Sequence, residues 1–281
     1  MSKDTDKMKM DLELAGYSPK TIKSYLMHVN HFSNHFAKPL DSLKIKEIRE
    51  YLHYLITIKQ VSNSYVNCAY SALKFYFQTT LNRFWDIHKI PRAKKVKKLP
   101  SVLSMSDIKK IFDVTTNLKH KAILMTTYSA GLRVSEVANL KISDIDSSSM
   151  QIFINQGKGN KDRYSLLSQA NLSILRKYFK QYKPQHWLFE GVPSDKPISN
   201  RSIQRIFKTS KEKAGISKNA SLHTLRHSFA THLLEAGTDI TYIQKLLGHA
   251  DIKTTCVYLH LKKINTIKIT SPLDIMAGVN E

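Results

Sequence analysis

Between His88 and Pro100 the chain reads His-Lys-Ile-Pro-Arg-Ala-Lys-Lys-Val-Lys-Lys-Leu-Pro, and no other stretch limits the fold as strongly. Pro91 and Pro100 break regular structure, while Lys89, Arg92, Lys94, Lys95, Lys97 and Lys98 put positive charge at nearly every other position. A length of 281 residues suits about two domains. The stretch 88–100 therefore reads as a basic linker between an N-terminal domain, 1–87, and a C-terminal domain, 101–281. Its charges have a plain reading, a solvated loop, and a functional one, a segment that tracks a phosphate backbone with the two domains on opposite sides of a duplex.

Before the linker the pattern is helical. Ser18-Pro19-Lys20-Thr21 opens a helix with Ser18 as N-cap, and Ile22, Tyr25, Val29, Phe32 and Phe36 recur at threes and fours. A second helix is expected through Ile45, Ile48, Leu52 and Leu55, and a third from near Ser62 through Val66, Ala69, Leu73 and Phe77. Together they predict a small helical bundle. Beyond the linker, Ser106-Asp107 is expected to cap a helix, and an apolar helix from Lys119 through Tyr128 is interrupted at Gly131. Residues 150–155 and Tyr164-Ser-Leu-Leu suit two short strands joined by a turn at Gly157-Lys158-Gly159-Asn160-Lys161. Helical patterns return over 172–182, 199–214, 222–235 and 240–247, and in a segment from Thr254 that carries Tyr258. The expected fold is mainly α with a small antiparallel sheet in the second domain.

Composition points to the partner. Lys+Arg 44 against Asp+Glu 22 leaves a formal charge of +22, as expected of a protein that neutralises many phosphates and releases their counterions. Nucleic acid is the leading partner; a merely basic protein, or one that binds anionic lipid, is the alternative. No stretch is apolar enough to span a membrane, and the first residues lack a signal peptide's apolar core. Cys68 and Cys256 are too few for a disulfide framework. A cytoplasmic protein is expected.

The second domain carries residues suited to phosphate chemistry: Arg133 in Gly-Leu-Arg-Val-Ser-Glu, His223 and Arg226 in His-Thr-Leu-Arg-His, His249 in Leu-Leu-Gly-His, and Tyr258. Arginine's permanently charged fork can hold two phosphate oxygens, and a tyrosine hydroxyl can attack phosphorus to form an ester. Taken alone, Tyr258 reads as a core tyrosine and Arg133 as the partner of Glu136, a pair worth only about 0.2–0.5 kcal/mol. As a set, Arg133 and Arg226 make a phosphate clamp. His223, on the same helix face as Arg226, can assist deprotonation of Tyr258, and His249, after a helix-ending Gly248, can donate to a phosphate oxygen.

His223 and His227 stand four apart, the spacing of two zinc ligands on a helix. Thr224 occupies the position where a zinc protease needs glutamate, and no carboxylate cluster offers a magnesium site, so no metal and no cofactor are expected. His227 and His232 are expected to pack or bond locally.

The ordered series Arg133, Lys158, His223, Arg226, His249 and Tyr258 resembles the tyrosine recombinases, or phage integrases, and in particular their Xer-like bacterial branch. The likeness extends through Gly-Lys-Gly-Asn-Lys-Asp-Arg and Leu-Leu-Gly-His-Ala-Asp-Ile-Lys-Thr-Thr, over nearly the whole chain; Leu259 departs from it, standing where a polar residue often follows the tyrosine. The resemblance implies a two-domain DNA clamp whose N-terminal bundle is a SAM-like core-binding domain. It implies a site-specific recombinase in which Tyr258 forms a 3′-phosphotyrosyl bond and leaves a 5′-hydroxyl, with Lys158 protonating the leaving oxygen. Read by itself, Lys158 is only a turn lysine. The resemblance also implies a homo-tetramer on two duplexes, or pairing with a related recombinase, and a tail from Ile264 that is exchanged between neighbours or disordered.

Two alternatives share parts of this reading: a type IB topoisomerase-like enzyme that relaxes supercoils, and a non-catalytic DNA-binding regulator. DNA contacts outside the site are expected from Lys94, Lys95, Lys97 and Lys98. More are expected from Arg201, Arg205 and Lys208, which project from a helix whose apolar stripe is Ile203, Ile206, Phe207 and Ala214. Lys20, Lys23 and Arg83 are further candidates for phosphate contact. The resemblance implies a role in DNA integration, excision or dimer resolution.

Overall fold

In the computed structural model, residues 3–86, 89–94, 100–155, 162–259 and 276 are described. Lys95, Lys97, Lys98, the turn holding Lys158, and the tail from 264 apart from Met276 lie outside them. The chain divides into two units, Met1–Lys98 and Leu99–Glu281.

The first unit is built from α1 (Lys3–Leu14), α2 (Pro19–Phe36), α3 (Ile45–Thr57) and α4 (Asn63–Phe75), with a π-helical turn over Tyr76–Thr80. Ser18 caps α2 and Ser62 caps α4, each side chain accepting an amide N–H three residues on, which satisfies one of the free donors at a helix start. Ile22, Val29 and Phe32 are buried as the periodicity predicts, and Tyr25 and Phe36 pack at the edge of the same core. Phe32 meets Tyr51 and Phe77 edge-on, with ring centroids 5.3 and 6.2 Å apart. Trp85 is buried, its indole N–H donating to the Tyr70 hydroxyl at 3.0 Å. α1 is hidden from a periodicity argument because Met8, Met10, Leu12 and Leu14 alternate. Only Met8 and Leu12, four apart on one helix face, are buried; Met10 and Leu14 face solvent. Arg83 is exposed, and its guanidinium donates to the carbonyls of Asp41 at 2.7 Å and Leu43 at 3.2 Å.

The second unit contains α5 (Met105–Val114), α6 (Leu118–Ser129), α7 (Val134–Ala138), β1 (Ile145–Asp146), β2 (Gln151–Ile154), β3 (Arg163–Leu166), α8 (Gln169–Tyr182), α9 (Asn200–Lys213), α10 (Leu222–Glu235), α11 (Ile240–Leu247) and α12 (Lys253–Cys256). The cap of α5 is Ser104, not Ser106. Asp107 sits at the third helical position and its carboxylate accepts the Ser104 N–H, a reciprocal capping box that starts the helix earlier than expected.

The sheet is antiparallel in the order β1-β2-β3, with Ile152 opposite Ser165 and Ile154 opposite Arg163. Alternation along the strands does the sorting: Ile152 and Ile154 are buried, and across from them Ser165 and Arg163 take the inner face while Tyr164 and Leu166 are exposed. α10 is enclosed on nearly every side, with Leu222, Leu225, Arg226, Ser228, Phe229 and Ala230 buried. A smaller cluster joins Phe229, Leu234, Ile243, Leu247 and Tyr258, so the C-terminal segment as far as Tyr258 belongs to the core. No helix among the described residues is long and apolar enough to cross a membrane.

Candidate active site

Four structural features bring the site together. α6 ends at Gly131, whose φ of +59° is a left-handed conformation that suits glycine, and the Gly131 carbonyl then accepts from Arg226 Nη1 at 2.7 Å. Arg133 is the N-cap of α7. Its own N–H is accepted by Glu136, three residues on, at 2.8 Å, and its Nη1 lies 2.6 Å from the same carboxylate. β3 delivers Arg163 to that carboxylate from the other side, Nη1 and Nη2 meeting its two oxygens at 2.9 and 2.8 Å. α11 ends at Gly248, again left-handed at φ +63°, and the chain turns there to present His249.

Glu136 is thus the hub of three guanidiniums, with Arg226 Nη1 a further 3.6 Å from its Oε2. Burial opposes its charge, but the hydrogen bonds and charge of Arg163, the Arg133 amide and Arg226 hold its pKa down to about 2. Such a charge is far from an ordinary surface ion pair: removing one partner of a buried pair costs about 3–5 kcal/mol. Arg226 is 1% exposed. Burial first, then neighbouring Arg133, lowers its pKa to about 9, which still leaves the guanidinium charged near neutrality.

His249 is fully engaged within the chain. Arg226 Nη2 can only donate, so at 3.2 Å His249 Nε2 accepts; the ring proton is then on Nδ1, which donates to Thr255 Oγ1 at 3.0 Å. Burial, with Arg226, Arg133 and Arg163 adding to it, depresses the His249 pKa to about 4, in keeping with a neutral ring. In this geometry the His249 imidazole braces Arg226.

Tyr258 follows α12 and is 3% exposed, its ring 6.5 Å from that of His249 and nearly parallel to it at 13°. Burial raises the phenol's pKa, while Arg226 and Arg133 pull it back down. The hydroxyl's partner is His227 Nδ1 at 3.0 Å, not His223. His223 lies on the exposed side of α10, its ring edge-on to that of His227 with centroids 4.4 Å apart. A helix turns about 100° per residue, so positions three apart share a face only loosely. That rotation turns His227 rather than His223 toward the tyrosine. His232, expected to pack or bond locally, instead bonds across to α6, its Nδ1 2.8 Å from the Tyr128 hydroxyl.

Arg133, Arg226, His249 and Tyr258 therefore converge with His223 alongside. Sequence reasoning missed His227, Arg163 and the central part of Glu136. For Arg163 a signal was available: it alternates with Ser165 on a strand whose partner residues are apolar, so a charged group there must find a buried counter-ion. On α9, Arg201, Arg205 and Lys208 are exposed and Ile203, Ile206 and Phe207 are buried. Among the described residues no three of His, Cys, Asp and Glu are grouped as metal ligands.

Residues 101–264 match the phage integrase family, and residues 5–87 match the N-terminal SAM-like domain of phage integrases. A candidate integrase/recombinase of Sinorhizobium fredii is 40% identical over 271 residues, 96% of this chain and 88% of that protein. Tyrosine recombinase XerA of Pyrococcus horikoshii is 36% identical over 252 residues, 88% of this chain and 85% of that protein. Among solved structures, the XerH site-specific recombinase bound to a palindromic difH substrate in a post-cleavage complex aligns with a TM-score of 0.73. At 20% identity, over 99% of this chain and 85% of that one, this is a likeness of fold.

Proposed function

Because the chain belongs to the phage integrase family and is a tyrosine-type site-specific recombinase, we propose that Tyr258 is the nucleophile with which it cuts and rejoins DNA. The Tyr258 oxygen attacks the scissile phosphorus, the bond from phosphorus to the 5′-oxygen breaks, and the strand is held as a 3′-phosphotyrosyl ester. Lys158 is assigned the proton for the leaving 5′-oxygen on the family's pattern alone. A 5′-hydroxyl from a second strand then attacks the ester and releases Tyr258, so no bond energy is lost to water and no nucleotide is consumed.

The observation that carries this reading is the convergence of Tyr258 with Arg226 across His249, whose ring lies 6.5 Å from the phenol ring and whose Nε2 accepts from Arg226 at 3.2 Å, with Arg133 joined to the same cluster through Glu136. Attack builds negative charge on the non-bridging oxygens, and two fixed guanidiniums stabilise that charge more in the transition state than in the ground state. His227, with His223 beside it, is suited to accept the phenol's proton. His249 keeps Arg226 oriented. Lys94, Arg201, Arg205 and Lys208 are proposed contacts to the DNA backbone, and Lys95, Lys97 and Lys98 are kept on the strength of the charge run. The working assembly is proposed as four protomers on two duplexes, or as a pair with a related recombinase, and the domain limits as 1–87, 88–100 and 101–281.

The test uses a duplex selected from random DNA by the full-length protein and then nicked beside the cleavage position, so that the released strand end diffuses away. The wild type accumulates a denaturant-resistant protein–DNA adduct, and Tyr258→Phe binds the same duplex without forming one. Binding by the wild type with no adduct would leave the regulator reading in its place. Relaxation of supercoils that lack the selected site would favour the topoisomerase-like reading.

A further inference from the structure

We infer that Arg163 is a positioning residue for strand cleavage: by occupying Glu136 it keeps Arg226 available to the scissile phosphate. The inference rests on the reading of Tyr258, Arg133 and Arg226 given above.

A carboxylate offers about four lone-pair sites. In Glu136 all four are taken: Oε1 accepts from Arg163 Nη1 and Arg133 Nη1, and Oε2 accepts from Arg163 Nη2 and the Arg133 amide. Arg226 Nη1 is left 3.6 Å from Oε2 and gives its hydrogen bonds to the carbonyls of Gly131 and Leu247 instead. Without Arg163, two acceptor sites would open on a buried anion beside a buried guanidinium. Arg226 would then close onto Glu136, and its charge would be spent inside the protein rather than on the phosphate.

The same side chain fixes the other support of Arg226. Arg163 Nε donates to the Leu246 carbonyl at 2.9 Å, one residue before the Leu247 carbonyl that receives Arg226 Nη2 at 2.6 Å. Gly248 makes this passage possible, since a Cβ there would lie 2.7 Å from Arg163 Cδ. A lysine could not make both contacts: the bidentate grip and the Nε bond need the planar fork. The charges around Glu136 are Arg163 from β3, Arg226 and His223 from α10 and Arg133 from its own turn, with His249 behind Arg226 after α11.

Adduct formation on the nicked duplex is compared for wild type, Arg163→Met, Arg163→Lys, Glu136→Gln and the double variant Arg163→Met with Glu136→Gln. A displacement of this kind is expected to slow cleavage by Arg163→Met about 100-fold, with DNA binding retained and Arg163→Lys falling in between. Removing the carboxylate's charge in the double variant should recover part of the rate. If Arg163→Met does not fold, Arg163→Lys, alone and combined with Glu136→Gln, carries the same comparison of rate, binding and rescue. A deficit with no rescue by Glu136→Gln, or cleavage at the wild-type rate, overturns the inference. An absent adduct in the wild type itself would instead count against the assignment of Tyr258.

Discussion

The Tyr258 hydroxyl lies 3.0 Å from Nδ1 of His227, a residue one helical turn beyond His223 on the same helix. Burial first, then the nearby His223 and Arg226, depresses the His227 pKa to about 4, so near neutral pH the ring is uncharged and its lone pair can face the phenol. With Tyr258 as the proposed nucleophile, a neutral base beside it would shorten the proton's path as the oxygen bonds to phosphorus. It also holds the hydroxyl at one angle.

His227→Ala should therefore slow adduct formation by about 100-fold or more, and by more than His223→Ala does. Single-turnover cleavage of the nicked duplex, with both variants at saturating concentration, checks the order. A larger loss for His223→Ala would return the base to that position.

The two most strongly depressed histidines also predict acid sensitivity of the fold. His227 and His249 each sit near pKa 4, against an ordinary value of about 6.5 for an unfolded chain. Between those values the unfolded state binds more protons than the folded one, so stability is fully present above pH 6.5 and is lost as pH falls toward 4. Thermal melts at pH 7.5 and pH 5 should show a falling midpoint. The fall should be smaller in His227→Gln, because glutamine takes up no proton.

Gly248→Ala combines a left-handed φ of +63° with a Cβ placed 2.7 Å from Arg163 Cδ. Left-handed strain alone costs about 1–3 kcal/mol, and the side chain that must give way is the one gripping Glu136. Urea titration should show the stability loss, and cleavage should fall beyond what the remaining folded fraction explains. Gly215→Ala offers a control, since it too has a positive φ but meets nothing within 4 Å.

The helix α9 predicts a salt effect. If Arg201, Arg205 and Lys208 each contact a phosphate, replacing all three with alanine removes three counterion-releasing contacts, and the slope of log K against log salt falls by about 0.9 per contact. Binding titrations from 50 to 300 mM salt on the selected duplex would measure it. An unchanged slope would mean that this exposed basic face points away from DNA.

Much of the local structure was legible from residue patterns because local causes produce it. Ser18 and Ser62 cap helices where they stand, and the limits of α10 and α11 follow from apolar spacing with Gly248 as a stop. The alternation at Ile152 and Ile154 is enough for a strand. α1 escaped because an alternating apolar run does not say which of its members will be covered.

The sequence by itself determined the chemistry available to this protein: two arginines and a tyrosine of the right kind, in an ordered series that marks the family, on a chain with a formal charge of +22. Only the tertiary structure decided which groups meet. Arg133 with Glu136 on one turn, and Arg163, Arg226 and His249 on three other elements, come from four separate places in the chain's local structure. Their contacts depend on strand pairing and helix packing across up to 95 residues, as between Gly131 and Arg226. Sequence spacing orders side chains around one helix or along one strand, but it does not fix how one element is rotated against the next. That rotation turned His227 toward Tyr258, and strand register carried Arg163 to Glu136.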